Sequence, residues 1–147
     1  MVLCRFTNII SPPSLDTLTK SQRSRCMSRI RSQNTRPEII VRKLLTELGV
    51  KYRLYGKKYP GKPDILISKK KNVLFVNGCF WHQHNHCKRK TMPKTNIEYW
   101  KAKLEQNVEK QRYDITVLKK LGWKAHVVWE CQTKDIPRLR NLIIKML

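Results

Sequence analysis

The stretch Asn77-Gly-Cys-Phe-Trp-His-Gln-His-Asn-His-Cys87 places two cysteines and three histidines within nine residues. Thiolates and imidazoles this close repel or oxidise unless a cation gathers them, and zinc takes four such donors in a tetrahedron. Cys79, His84 and Cys87 offer three donors from one loop, and Cys131, just after Val127-Val-Trp-Glu130, is the natural fourth. A distant cysteine closing the set would tie the loop to the sheet edge. The alternative is a group of buried cysteines beside surface histidines. His82 and His86 are left over. A histidine beside such a loop can act as general base or leaving-group acid near neutral pH, though taken alone it is equally an ordinary surface residue.

Asp64 is the second informative residue. It ends Gly61-Lys-Pro-Asp64 and heads the apolar run Ile65-Leu-Ile67, in a chain where 10 Asp and Glu face 32 Lys and Arg. A carboxylate there can hold Mg²⁺ against a phosphate, so that the ion acts as Lewis acid and activates water. Pro-Asp is also a common turn; the metal reading gains weight because a hairpin would bring Asp64 near Val76, Asn77 and the His82 loop. Glu38 either joins this group or only caps its helix. Phe80, Trp81 and Trp100 are large aromatics among lysines and arginines. They stack on or between bases, or they pack the loop onto the core.

These residues need a scaffold, and the apolar spacing supplies one. Thr35-Arg-Pro-Glu38 is a capping box with proline in the first turn. Ile39, Ile40, Leu44, Leu45 and Leu48 follow at helical spacing, closed by Gly49. Val50 to Tyr55 reads as a short strand. Tyr59-Pro-Gly-Lys-Pro63 reads as a turn, and Ile65–Ile67 and Val73–Val76 as a buried antiparallel pair joined through Lys69–Asn72. Thr95-Asn-Ile-Glu98 is a second capping box opening a long helix with Trp100, Leu104, Val108, Ile115, Leu118 and Leu121 as its stripe, up to Gly122. Trp123 to Trp129 alternates as a strand, and Ile136 to Leu147 is a closing helix. The order predicts an α/β fold with a mixed central sheet flanked by helices. Residues 1–16 read as an extension and 17–147 as a single domain. Within it, residues 17–34 read as a basic phosphate-gripping arm or as a solvated basic leader, in which a short helix would show Met27 and Ile30 on one face.

The formal net charge of +22 repels itself unless a polyanion neutralises it, and phosphate backbones are the usual partner. No run of about 18 apolar residues predicts a membrane span, and the short apolar run Thr7–Ile10 lacks the features of a signal peptide. Five cysteines, an odd number, argue against a complete disulfide framework and for metal binding in a reducing, cytoplasmic setting.

Five segments together resemble the very-short-patch-repair mismatch endonucleases, over roughly Leu18 to Gln132. They are Thr19-Lys-Ser-Gln-Arg-Ser-Arg-Cys-Met27, Asn34-Thr-Arg-Pro-Glu38, Pro60-Gly-Lys-Pro-Asp64, Phe75-Val-Asn-Gly-Cys-Phe-Trp-His82 and Val127-Val-Trp-Glu-Cys131. The resemblance implies a restriction-endonuclease-like core and a DNA-repair enzyme. It would nick double-stranded DNA on the 5′ side of the T in a T:G mismatch left by deamination of 5-methylcytosine. It implies Asp64 and the main-chain carbonyl of Val76 as Mg²⁺ ligands, His82 as catalytic histidine and Glu38 as a supporting acid. Cys79, His84, Cys87 and Cys131 would hold a structural Zn²⁺. Phe80, Trp81 and Trp100 would wedge into the duplex from the major groove and Met27 from the minor-groove side. Mismatch-repair proteins are candidate partners of a monomer working at the bacterial nucleoid. Two departures stand out. Asn77 replaces a histidine that assists catalysis in some members. The spacing from His82 to Cys87 is one residue longer than the shortest pattern, so either His84 or His86 reaches zinc; His84 keeps the His-x-His step. Two alternatives remain: a nuclease of other DNA specificity on the same fold, and a zinc-containing DNA-binding module without catalysis.

Overall fold

The computed structural model describes residues 19–29 and 33–147, which fall in two compact units, Met1–Asn34 and Thr35–Leu147. In the first, helix α1 spans Lys20–Ser28. Its start is capped reciprocally: the Thr19 N–H donates to Gln22 Oε1 at 2.8 Å and the Gln22 N–H to Thr19 Oγ1 at 3.3 Å. Arg25 and Arg29 are exposed. The extension 1–16, Leu18 and Ile30 lie outside the described residues, as does the Met27 side chain.

The second unit opens with α2 (Arg36–Glu47), whose buried stripe is Val41, Leu44 and Leu45. The expected capping box forms, with both of its reciprocal bonds present. Glu38 Oε1 accepts from the Thr35 N–H at 3.3 Å, while the Thr35 hydroxyl donates to the same oxygen at 2.7 Å. Gly49 closes the helix at φ +68, a conformation that costs glycine little. Strands β1 (Arg53–Leu54), β2 (Ile65–Ile67), β3 (Asn72–Asn77) and β4 (Lys124–Trp129) form one sheet in the order β1-β2-β3-β4. The first two pairings are antiparallel and β3 runs parallel to β4, with Val73 opposite Ala125 and Asn77 opposite Trp129. Parallel neighbours need a long crossover, and helix α3 (Ile97–Lys120) supplies it. Helix α4 (Ile136–Met146) closes the chain, capped by Asp135 Oδ1, which accepts from the Arg138 N–H at 3.0 Å.

The sheet is buried on both faces. Ile65, Ile67, Leu74 and Val128 join Val41, Leu44 and Leu45 of α2 and Leu139 and Ile143 of α4. Leu66, Val73 and Phe75 point the other way, toward Leu118 of α3. Two covered faces explain why β2 and β3 read as unbroken apolar runs. The mixed sheet flanked by helices is the expected class.

Two elements differ from expectation. The strand predicted over 50–55 shrinks to Arg53–Leu54, both exposed; Tyr55, just past its end, turns into the left-handed region at φ +53 while its N–H still bonds the Asp64 carbonyl. Helix α3 begins one residue late. Asn96, not Thr95, is its cap, at φ 51 and without a side-chain cap bond. A capping box needs an extended cap residue three positions before the glutamate, and Asn96 meets neither condition.

Candidate functional site

The C-terminal ends of β3 and β4 and the start of β2 gather the chemistry. Asp64 Oδ2 accepts from the Val76 N–H at 2.7 Å, so the acid is seated against the last turn of β3 through that residue's backbone. Burial pushes the Asp64 carboxyl up to about 6. The Val76 N–H opposes the shift, the Glu38 charge adds to it and Arg42 opposes it. A buried carboxyl that feels a second acid's charge is an arrangement that a proton or a divalent cation relieves. Glu38 is only 2% exposed and accepts from Arg42 Nη2 at 2.8 Å. It therefore both braces the start of α2 and stands beside Asp64.

Asn77 is buried, and its side-chain amide is fully engaged. Its Nδ2 donates to Gln111 Oε1 at 2.8 Å, and Gln111 Nε2 donates back to its Oδ1 at 2.9 Å. The same Gln111 interacts with His82, whose pKa is lowered by burial and partly restored by this glutamine. His82 Nδ1 is buried without a hydrogen-bond partner. A neutral ring with an uncommitted nitrogen can take up a proton.

Beyond β3 the loop folds back on β4. Donor atoms of Cys79, His84, Cys87 and Cys131 all lie within 4.8 Å of one another. His84 Nδ1 is 3.7 Å from Cys79 Sγ and 3.4 Å from Cys131 Sγ. His86, the competing ligand, is exposed at φ +57 and stands outside this group. The His84 ring stacks on Trp129, with centroids 4.1 Å apart and planes 7° from parallel. An Arg89–Glu130 ion pair joins the loop to the turn carrying Cys131. Burial raises the Cys79 thiol to about 12 and raises Cys131, while the Arg89 backbone N–H lowers Cys87. Gathered thiols that resist ionising are stabilised by a cation, and three sulfurs with one imidazole nitrogen fit a borderline-soft tetrahedral ion such as zinc.

Phe80, Trp81 and Trp100 form one cluster. Ring centroids are 5.1 Å apart for Phe80–Trp81, 5.8 Å for Phe80–Trp100 and 6.0 Å for Trp81–Trp100. All three are half-buried. Tyr99, which the sequence reading passed over, packs on Trp100 at 5.6 Å and is 63% exposed.

Other residues missed in the sequence lie on α3. Asn107 Nδ2 donates to the Trp81 carbonyl at 3.4 Å, Gln111 reaches Asn77, and buried Asp114 abuts the turn at Gly61. A Cβ on Gly61 would stand 2.9 Å from that of Asp114. Trp100, Leu104, Asn107, Gln111, Asp114 and Leu118 share one face at steps of four and three. The apolar stripe drawn from sequence drifted off it, and Leu121 is 57% exposed. Polar side chains recurring inside a helical stripe were the available signal.

Residues 15–89 match the family described as DNA mismatch endonuclease Vsr. The chain is 45% identical over 120 residues to the type II nicking enzyme V.NmeAIP of Neisseria meningitidis serogroup A, covering 82% of this chain and 85% of that one. It is 38% identical over 126 residues to the DNA mismatch endonuclease Vsr of Escherichia coli K12, covering 86% and 80%. Among solved structures it resembles the catalytic domain of the homing endonuclease I-Bth0305I, with a TM-score of 0.54 at 19% identity over 77% of this chain and 94% of that one. At that identity the likeness shows the fold, an endonuclease architecture. Among the described residues no helix is long and apolar enough to cross a membrane.

Proposed function

The chain belongs to the Vsr family of DNA mismatch endonucleases and is a DNA nicking endonuclease; from this premise we propose that its target is the T:G mismatch, nicked 5′ of the mispaired T to start repair of deaminated 5-methylcytosine. The observation that carries the proposal is the half-buried cluster in which Phe80 and Trp81, just after the strand bearing Val76 and Asn77, meet Trp100 of α3. A wobble pair differs little from a correct one at its base edges, so discrimination by deformation is the more effective route. Inserting side chains between base steps costs a few kcal/mol, roughly, and least where stacking is already weak.

In this reading Asp64 and the Val76 carbonyl hold Mg²⁺, which supplies Lewis-acid polarisation of the phosphate and a more acidic water. His82, held neutral by burial, moves a proton at the scissile phosphate. Glu38 supports Asp64, and the Asn77 amide, committed to Gln111, orients neighbours and transfers no proton. Cys79, His84, Cys87 and Cys131 hold Zn²⁺, which fixes the wedge loop. Phe80, Trp81 and Trp100 enter the duplex from the major groove and Met27 from the minor. The enzyme acts as a cytoplasmic monomer at the nucleoid, beside mismatch-repair proteins.

A strand-specific assay on T:G and matched duplexes with varied flanks tests this. The T:G duplex alone should be nicked, on the T strand. Equal nicking of matched DNA would move the enzyme to a second reading, another target on the same scaffold. That reading is favoured by relatives, among them V.NmeAIP, that are named as type II nicking enzymes.

A further inference from the structure

Arg42 stands one helical turn after Glu38 on α2, its side chain 14% exposed against 3% for the glutamate. One guanidinium nitrogen, Nη2, donates to both Glu38 Oε2 and the Tyr55 hydroxyl, each at 2.8 Å. The guanidinium carbon lies 5.3 Å from the centroid of the Tyr55 ring, within cation–π range. Tyr55 holds φ +53, a region that a bulky side chain enters only when its surroundings enforce it. From there its N–H donates to the Asp64 carbonyl at 3.0 Å. Arg42 thus bonds the acid of α2 and the residue whose backbone pairs with Asp64.

An exposed pair one turn apart on a helix would be worth little. Burying a planar cation beside carboxylates is costly unless the local charge calls for it. Here the call is specific: the Glu38 charge bears on Asp64, and Arg42 acts on both acids. Glu38 also accepts twice from Thr35, so protein donors fix both oxygens of its carboxylate.

We propose that Arg42 is a positioning residue of the cation site, holding the Glu38 carboxylate beside Asp64 through a shared grip on Tyr55. This rests on the reading that Asp64 holds a divalent cation.

The test uses Mn²⁺ as probe on the full chain. Its binding is measured without DNA by electron paramagnetic resonance, and its effect on nicking of a T:G duplex is measured separately. Arg42→Lys keeps the charge and loses the fork. Tyr55→Phe loses only the hydroxyl and keeps ring and backbone, so it decides the matter if Arg42→Lys does not fold. Loss of an outer partner of a metal ligand typically weakens binding about 10- to 100-fold. Arg42→Lys should fall in that range, and Tyr55→Phe should lose roughly tenfold. At fixed Mn²⁺, kcat should drop while KM for DNA holds, and added Mn²⁺ should restore part of kcat. Wild-type Mn²⁺ affinity and kcat in both variants, with only a lower melting temperature, would overturn the proposal and leave the nuclease reading intact. Weaker Mn²⁺ binding in both variants, with no nicking of the T:G duplex by any form of the protein, would uphold the proposal and remove the T:G reading.

Discussion

Asp64 carries its meaning in its neighbours. Position and rarity marked it in the sequence, as spacing marked Cys79, His84 and Cys87. What made Asp64 chemically distinctive, the Val76 N–H and the opposing Glu38 and Arg42, comes from segments more than ten residues away. Gln111 was illegible for the same reason: a glutamine inside a helix has no signature until Asn77 and His82 meet it. Removing the carboxylate tests the assignment. Asp64→Asn keeps the shape and should lower kcat for nicking by more than about 100-fold, since even outer partners of metal ligands cost up to that much. Duplex affinity, measured by fluorescence anisotropy, should stay near wild type. Another residue has a pH consequence. His126 has its pKa lowered by burial, and its Nε2 is buried without a partner. Its folded pKa lies below the unfolded value of about 6.5, so its contribution is complete above that pH and is lost as pH falls toward the folded value. His126→Gln should therefore flatten the decline of melting temperature between neutral pH and pH 5, measured side by side with wild type. An unchanged slope would exclude this role.

At the scale of elements, legibility followed the number of covered faces. Ile65–Ile67 and Asn72–Asn77 are packed from both sides, so their unbroken apolar runs mark them; β1 has one neighbour and two exposed residues, and no local pattern gives its length. Helix α3 was plain as a helix, but its orientation was not. The polar residues Asn107, Gln111 and Asp114 occupy the face turned toward the loop, the site and the Gly61 turn. The loop is packed by Phe80, Trp81 and the His84–Trp129 stack, and it is tied to β4 by the four gathered donors and the Arg89–Glu130 pair. Purified protein should hold one zinc per chain by elemental analysis, and Cys131→Ala should release it. A cross-link closing a long loop is worth about 3 kcal/mol on the scale of disulfides. That corresponds to a fall of roughly 6–12 °C in melting temperature for a domain this size. Chelation of the wild type should reproduce the shift, and a metal-free protein of unchanged stability would refute the structural role.

For the whole molecule, charge and recognition are separable quantities. A net +22 acts on phosphates without regard to sequence, and it was fully legible from composition because it needs no geometry. In the proposed reading the aromatic cluster acts on base steps, and it carries no charge. If affinity comes from the first and discrimination from the second, matched and T:G duplexes should show the same dependence of binding on salt and differ only in offset. Each phosphate contact contributes a slope of about −0.9 in log K against log salt. Helix α1 and the turn after it, with exposed Arg25 and Arg29, are where the expected arm can be tested. Arg25→Glu with Arg29→Glu should reduce the magnitude of the slope by about two contacts on both duplexes alike and leave the ratio of their affinities unchanged. The converse change, Trp81→Ala, should leave the slope alone and shrink that ratio. A double arginine variant that altered the ratio would mean that this helix reads the mismatch itself, and the division between charge and wedge would fail.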